Sequence, residues 1–423
     1  MNILIKNGRV IDPRNGLDTV QDVYIADGKI QSIGKVPKGF TAKKTIDAKN
    51  KVLAPGFIDL NTRLREPGFE FKATIASETK AAAAAGFTHI CCLPDTMPVI
   101  DTPAVANLIQ DKAQAAGFSK VLPIGALTVD LQGEILTEAY ALQQAGCVAL
   151  SQAPNTIAPH TLRRALQYAS TFGMLVVLKA EDAAIRDDGC IHAGEISSRL
   201  GLQGIPASAE TVAVAQIIAL ADETGARVHL TGISTAKAVS MLARAQKDGI
   251  KISADAHAHQ MHLTDKAVET FDANYHVSPP LRSTSDKKAL IKGLEKGVIQ
   301  ISSGHEPHEA EAKQAPFPST QAGISSLETA LPLTLGLVAA KSLTLSQAIS
   351  RLSFGPAEIL GIDAGHLSIG AEANLCIFDA DETWKVNQQN WLSRGLNTPF
   401  MGDKMTGRVT HTLIDGKVVY EQG

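Results

Sequence analysis

Between residues 58 and 338 the chain alternates eight times between a short apolar run and a stretch of helical length. Parallel strands need a crossover of a dozen or more residues, usually a helix, so this alternation predicts a parallel sheet. Eight units is the number that closes a (β/α)8 TIM barrel. The expected strands are Ile58–Leu64, Thr88–Leu93, Lys120–Leu127, Cys147–Gln152, Met174–Lys179, Arg227–Thr231, Lys251–Ala256 and Ile299–Ser303. The expected helices run from Thr74–Ala85 to Ser325–Val338. The order slips once, because the helix Ala209–Thr224 precedes Arg227–Thr231 after a long connection from the fifth strand. Ala81 to Ala85 followed by Gly86 fits a helix packed closely on the sheet and ended at a glycine.

The flanking segments read differently. Ile3–Lys6, Arg9–Ile11, Val23–Ile25 and Lys29–Ile33 near the start, and Asn374–Asp379, Arg408–Leu413 and Lys417–Tyr420 near the end, are short strands. Asp27-Gly28 reads as a type I′ hairpin and Asp415-Gly416 as a turn by composition. Residues 1–52 and 366–423 are therefore expected to form one small composite β-sandwich domain, with the barrel over 53–365. The fold class is α/β.

A net charge of −3 and an aromatic content of 4% exclude a nucleic-acid stripe or a base-stacking platform. No apolar run is long enough to span a bilayer, and the N-terminus lacks a signal-peptide layout. Cys91, Cys92, Cys147, Cys190 and Cys376 lack zinc-like spacing and read as small buried hydrophobes in a reducing cytoplasm.

In such a barrel the chemistry sits at the C-terminal ends of the strands. Those ends carry Asp59, Asn61, Arg63 and Arg65 on strand 1, Asp95 after strand 2 and Gln152 after strand 4. Lys179 and Glu181 follow on strand 5, Gly232 after strand 6, Asp255, His257 and His259 on strand 7, and Gly304 and His305 after strand 8. A catalytic zinc needs about three or four converging imidazole, carboxylate or thiolate ligands. Amide, guanidinium, ammonium and glycine cannot replace them. Arg63 and Lys179 would also set positive charge where a dication should sit. Asp59 is left as the one conventional ligand type on strand 1.

The motifs Pro55-Gly56-Phe57-Ile58-Asp59-Leu60 and Leu64-Arg65-Glu66-Pro67-Gly68 resemble the first-strand signature of dihydroorotases, in the amidohydrolase superfamily. Pro123–Thr128, Ser278–Arg282, His305-Glu306-Pro307-His308, Ser326–Pro332 and Asn397–Phe400 extend the resemblance along essentially the whole chain. It implies a barrel with a small β domain, and hydrolysis or closure of dihydroorotate at one or two zinc ions in pyrimidine synthesis. Carried over position by position, that activity fails. The family's strand-1 histidines fall at Asn61 and Arg63, and the aspartate after strand 4 at Gln152 or Ala153. The strand-5 histidine is Lys179, the strand-6 histidine Gly232 and the strand-8 catalytic aspartate Gly304. Arg65 keeps the place of a substrate-carboxylate ligand, while the expected asparagines are Asp95 and Ser278. The pattern resembles non-catalytic dihydroorotase-like chains that accompany aspartate carbamoyltransferase in some bacteria. The expectation is a pseudoenzyme with no catalytic residues, no metal and no cofactor, bound to the transferase catalytic chain in a hetero-oligomer. Self-association as a homodimer is left open.

Competing readings are a metal site relocated to His257, His259, His262, His305 and His308, and metal-free hydrolysis of a cyclic amide by Lys179, Asp95, Asp255 or the strand-7 histidines. A small-molecule site at Arg65, a relic anion site or merely a loop salt bridge, is a third. His89, His229 and His276 read as core histidines. Arg63 and Lys179 need partners if buried, and Asp59, Asp95 and Glu181 are the nearest by strand position.

Overall fold

A computed structural model of the chain describes residues 2–423. Eight parallel strands form the barrel: β1 (Phe57–Thr62), β2 (Phe87–Cys92), β3 (Lys120–Ala126), β4 (Ala149–Ser151), β5 (Leu175–Lys179), β6 (Arg227–Thr231), β7 (Ile252–His257) and β8 (Gln300–Ser302). They pair in chain order from β1 to β8. The seam closes where Thr62 bridges His305: the Arg63 amide donates to the His305 carbonyl at 2.9 Å, and the His305 amide to the Asn61 carbonyl at 3.2 Å. Every residue of β1 and β2 is buried, as expected of strands covered on both faces.

The helices follow the sequence pattern. Thr74 caps the helix Ile75–Ala84 by accepting from the Ser77 amide, and Ala81, Ala82 and Ala83 are buried against the barrel. A side chain at Gly86 (φ +87) would meet the Phe57 ring at 2.9 Å, which explains the glycine at this close approach. The long connection after β5 holds the short helices Ala183–Arg186 and Glu195–Leu200, and Ile191–His192 pairs there with Gly204–Ile205. Helix Ala207–Thr224 then leads into β6.

Both chain ends build the small domain. Its strands form one continuous hydrogen-bonded sheet because Val52–Pro55 pairs with the first strand on one side and with Leu375–Phe378 on the other. Ile3, Ile5, Val23, Ile25, Leu53, Leu375 and Ile377 share its apolar core. Val52–Pro55 thus belongs to this sheet, and the barrel begins immediately after Gly56. The two expected runs at the start are one strand, Ile3–Asp12, bulged at Asn7 (φ 62) with a register shift between Ile5 and Gly8. Asp27-Gly28 and Asp415-Gly416 have positive φ at both positions, as type I′ turns require. The two turns abut, so a side chain on Gly28 would lie 2.9 Å from the Asp415 carbonyl oxygen.

Candidate functional site

β1 carries Asp59 and Asn61, and its register against β2 shifts between Asp59 and Thr62. Asp59 is fully buried and accepts from the Ser303 amide at 2.9 Å, from the Ser303 hydroxyl and from the Asn61 amide at 3.3 Å. Burial raises its pKa to about 7, against the pull of those hydrogen bonds. Both carboxylate oxygens are thus spent on fastening the β1–β8 seam. Asn61 donates through Nδ2 to Thr231 Oγ1 at 2.7 Å and to His257 Nε2 at 3.2 Å, while its buried Oδ1 has no partner in the protein.

Just beyond, Arg63 donates to Asp95 at 2.6 Å and to Glu306 at 3.1 Å. Burial works against its charge, but Asp95 and Glu306 outweigh burial and raise its pKa. Lys179 binds Glu181 at 2.9 Å and Ser278 Oγ at 2.8 Å. Asp95 and Glu181 are therefore the partners expected for the buried cations, and Asp59 takes no part. Arg65, in a left-handed conformation (φ 66), is held by the Pro307 carbonyl at 3.0 Å and by Glu306 at 3.2 Å. Its fork is committed to the loop after β8, as in the salt-bridge reading. Glu306, which the strand-end survey passed over, is the hub of this group. Burial opposes its charge, yet Arg63, Arg65, His308 and Lys179 together bring its pKa down to about 2. Its place in the His305-Glu306-Pro307-His308 motif, directly after the last strand, was the signal that could have found it.

The glycines at the remaining family positions have one neighbour in common. An ideal Cβ on Gly304 would lie 2.4 Å from Cγ and Nδ1 of His257, and one on Gly232 would lie 2.9 Å from its Nε2. Both glycines have positive φ, +64 and +69. The imidazole of His257 thus occupies the space in front of both strand ends. Burial lowers its pKa, against the pull of Asp255.

The other candidates are committed elsewhere. Gln152 accepts from Thr128 Oγ1 at 2.8 Å and donates to the Leu131 carbonyl at 2.8 Å. Asp255 accepts from His229 at 2.9 Å, Thr231 at 3.1 Å, the Gly232 amide at 3.0 Å and Ser302 at 2.7 Å. His305 bonds Glu78 at 2.7 Å through Nε2 and accepts from the Ser326 amide at 3.0 Å through Nδ1. His308 bonds the Ala322 carbonyl at 2.9 Å, and His262 the Leu333 carbonyl at 2.8 Å. His89 contacts Thr88 Oγ1 at 3.0 Å and His276 contacts Thr320 Oγ1 at 2.7 Å, both as core histidines. His259 is buried with neither ring nitrogen bonded, and its ring centroid is 5.5 Å from that of His257. The relocated histidine site is thus not assembled: among the described residues, no group of three or more His, Cys, Asp or Glu is arranged to hold a metal ion. The zinc chemistry implied by the family motifs does not fit this donor set, in which Arg63 and Lys179 are ion-paired to Asp95, Glu306 and Glu181 and the Asp59 carboxylate is spent on the β1–β8 seam.

Known proteins bear on the same frame. The dihydro-orotase-like family model matches residues 50–238 and an amidohydrolase family model matches residues 324–420. A dihydroorotase-like protein of Pseudomonas aeruginosa is 46% identical over 423 residues, spanning 100% of both chains. The chain belongs to the dihydroorotase-like family. A dihydroorotase of Geobacter sp. is 42% identical over 428 residues, also across 100% of both chains. Among solved structures, the L-hydantoinase (dihydropyrimidinase) of Arthrobacter aurescens superposes with a TM-score of 0.89 at 25% identity, covering 100% of this chain and 96% of its own. Dihydropyrimidinase from Brevibacillus agri shares the fold with a TM-score of 0.86 at 24% identity, over 100% of this chain and 95% of its own.

Proposed function

We propose that this chain is a non-catalytic member of the dihydroorotase-like family that serves pyrimidine biosynthesis as a structural partner of aspartate carbamoyltransferase. The observation that carries the non-catalytic half is the paired Arg63. A guanidinium locked between Asp95 and Glu306, where the family motif has a strand-1 histidine, opposes a nearby dication. The His257 ring in the space before Gly232 and Gly304 acts in the same direction. The partner half rests on the resemblance of the degenerate motif set to transferase-associated chains. A cytoplasmic setting agrees with five buried, unpaired cysteines. No helix among the described residues is long and apolar enough to cross a membrane.

The relatives named dihydroorotase favour a second reading, hydrolysis of a cyclic amide. It needs a free base or nucleophile. Lys179 is tied to Glu181, and Asp255 already accepts from four groups. One experiment separates the readings. The purified chain is analysed for zinc, assayed with dihydroorotate and hydantoin, then co-expressed with the transferase chain of the same organism and weighed as a complex. The proposal expects no stoichiometric zinc, no turnover and a defined hetero-oligomer. Stoichiometric zinc with turnover, or a transferase that assembles normally without this chain, overturns it.

A further inference from the structure

At the C-terminal end of the barrel, exposed apolar side chains stand on neighbouring loops. Phe71 (57% exposed) follows β1, Met97 (61%) follows β2, and Val129 and Ile135 (67%) follow β3. These loops touch. The Met97 amide donates to the Pro67 carbonyl at 3.0 Å, and a Cβ on Gly68 would lie 2.4 Å from that of Met97. The Ala126 amide donates to the Ile100 carbonyl at 2.7 Å, and the Asp130 amide to the Asp101 carboxylate at 3.0 Å. The Val129 amide donates to the Ile135 carbonyl at 2.8 Å. From the C-terminal segment, Arg394 donates to the Glu70 carbonyl at 2.9 Å, which brings the exposed Leu396 alongside. Scattered exposed apolar residues are ordinary, but a set on contiguous loops marks an interaction surface.

The charges around this face are mostly of one sign. Glu70, Asp130, Glu134 and Glu138 are exposed, against the exposed bases Arg394 and Lys112, the second of which is ion-paired to Glu66. A twofold contact with a second copy would set the same patch against itself and bring the carboxylates together, which is unfavourable. A different chain with lysines and arginines around an apolar centre complements both the core and the rim. We infer that this loop face is the docking surface for such a basic-rimmed protein partner, which, if the function proposed above holds, is the transferase chain.

The test measures binding of the full-length chain to the aspartate carbamoyltransferase chain of the same organism, by sedimentation and biolayer interferometry at low and high salt. Phe71→Asp/Met97→Asp and Ile135→Asp are each expected to weaken binding by about tenfold or more, as centrally placed interface residues do. Glu134→Lys/Glu138→Lys is expected to weaken it about threefold or more at low salt and to flatten its salt dependence. Val212→Asp, exposed on the helix Ala207–Thr224, is expected to bind as the wild type does. All six substituted residues are at the surface, and unchanged melting temperatures confirm folding. If the wild-type chain binds and the loop variants bind equally well, the surface is wrong while the proposed function stands. If the wild-type chain does not bind, the function falls and this surface assignment with it. A homodimer that Ile135→Asp dissociates would make a second copy the occupant and overturn the inference.

Discussion

At the scale of single residues, the mouth of the barrel is governed by charge compensation and by one imidazole. Glu306 has its pKa brought from the ordinary 4.5 to about 2, after burial has been overcome by Arg63 and Arg65. A depressed carboxylate contributes stability that is complete above about 4.5 and is lost as the pH falls toward 2. At 1.36 kcal/mol per pKa unit the contribution is about 3 kcal/mol. Glu306→Gln is therefore expected to lower stability by about 2–3 kcal/mol at pH 7 and to lose less than the wild type between pH 5 and pH 3. Urea titrations at the two pH values check this, and parallel losses in both proteins would refute the assignment. A second expectation concerns His257. Gly304→Ala sets a methyl group against the ring and strains a left-handed backbone, at a cost of about 3 kcal/mol or more. With His257→Ala the clash disappears, so the double variant should lose at least about 1 kcal/mol less than the sum of the single losses. Strict additivity would mean that the ring does not fill that space. The placement of Asn61, Arg63 and Lys179 at the mouth was legible in the sequence because strand ends have fixed places in a barrel. The pairing of Glu306 with Arg63 and Arg65 and the position of the His257 ring were not, since both depend on how separate strand ends and loops meet.

At the scale of elements, local pattern located the strands and tertiary contacts set their edges. Strands buried on both faces write themselves as apolar runs, so all eight barrel strands could be placed. The helix Thr284–Glu295 begins on three polar residues, where Ser283 caps it by accepting from the Asp286 amide at 3.2 Å. A start made of polar residues leaves no apolar period to read. The bulge at Asn7 was equally hidden, since a lone left-handed residue does not alter the composition of a strand. The most informative tie between elements is Glu210, on the helix Ala207–Thr224. Its buried carboxylate accepts from the Ser234 amide at 3.0 Å, the Thr235 amide at 2.9 Å, Thr235 Oγ1 at 2.7 Å and the Ser234 hydroxyl. Thr235 in turn caps the helix Ala236–Lys247 by accepting from the Ala238 amide at 3.2 Å. Glu210→Ala leaves those donors buried without partners and should cost about 2–4 kcal/mol. Hydrogen exchange at residues 232–238 should accelerate along with it. A loss below about 0.5 kcal/mol would show that water replaces the carboxylate freely.

At the scale of the whole molecule, the small domain and the barrel mouth are held by one segment, residues 391–398. It leaves the terminal sheet after Leu375–Lys385 and returns at Lys404–Ile414. On the way, the Leu392 and Ser393 amides donate to Glu328 at 2.8 and 3.0 Å, and Ser393 Oγ donates to Glu78 at 2.7 Å. Asn397 accepts from the His308 amide at 2.8 Å and donates to the Glu306 and Gly323 carbonyls at 3.0 and 3.2 Å. The loop bearing Glu306 is thus anchored by residues nearly a hundred positions away, and Glu306 in turn holds Arg63 and Arg65. Because Val52–Pro55 also pairs with Leu375–Phe378, removing the C-terminal strands strips both the sheet and the mouth. A chain ending at residue 365 should therefore fail to give a soluble, cooperatively folded barrel. The gentler Asn397→Ala, which leaves the sheet intact, should lower stability by about 2–3 kcal/mol through the three lost hydrogen bonds. It should still unfold in one transition, because the sheet and the barrel remain joined through Val52–Pro55. Differential scanning calorimetry checks the pair of expectations. Two separated transitions in the full-length chain, or a folded barrel from residues 1–365, would show that the domains are thermodynamically independent. In that case the terminal sheet would not be what secures the ion pairs at the barrel mouth.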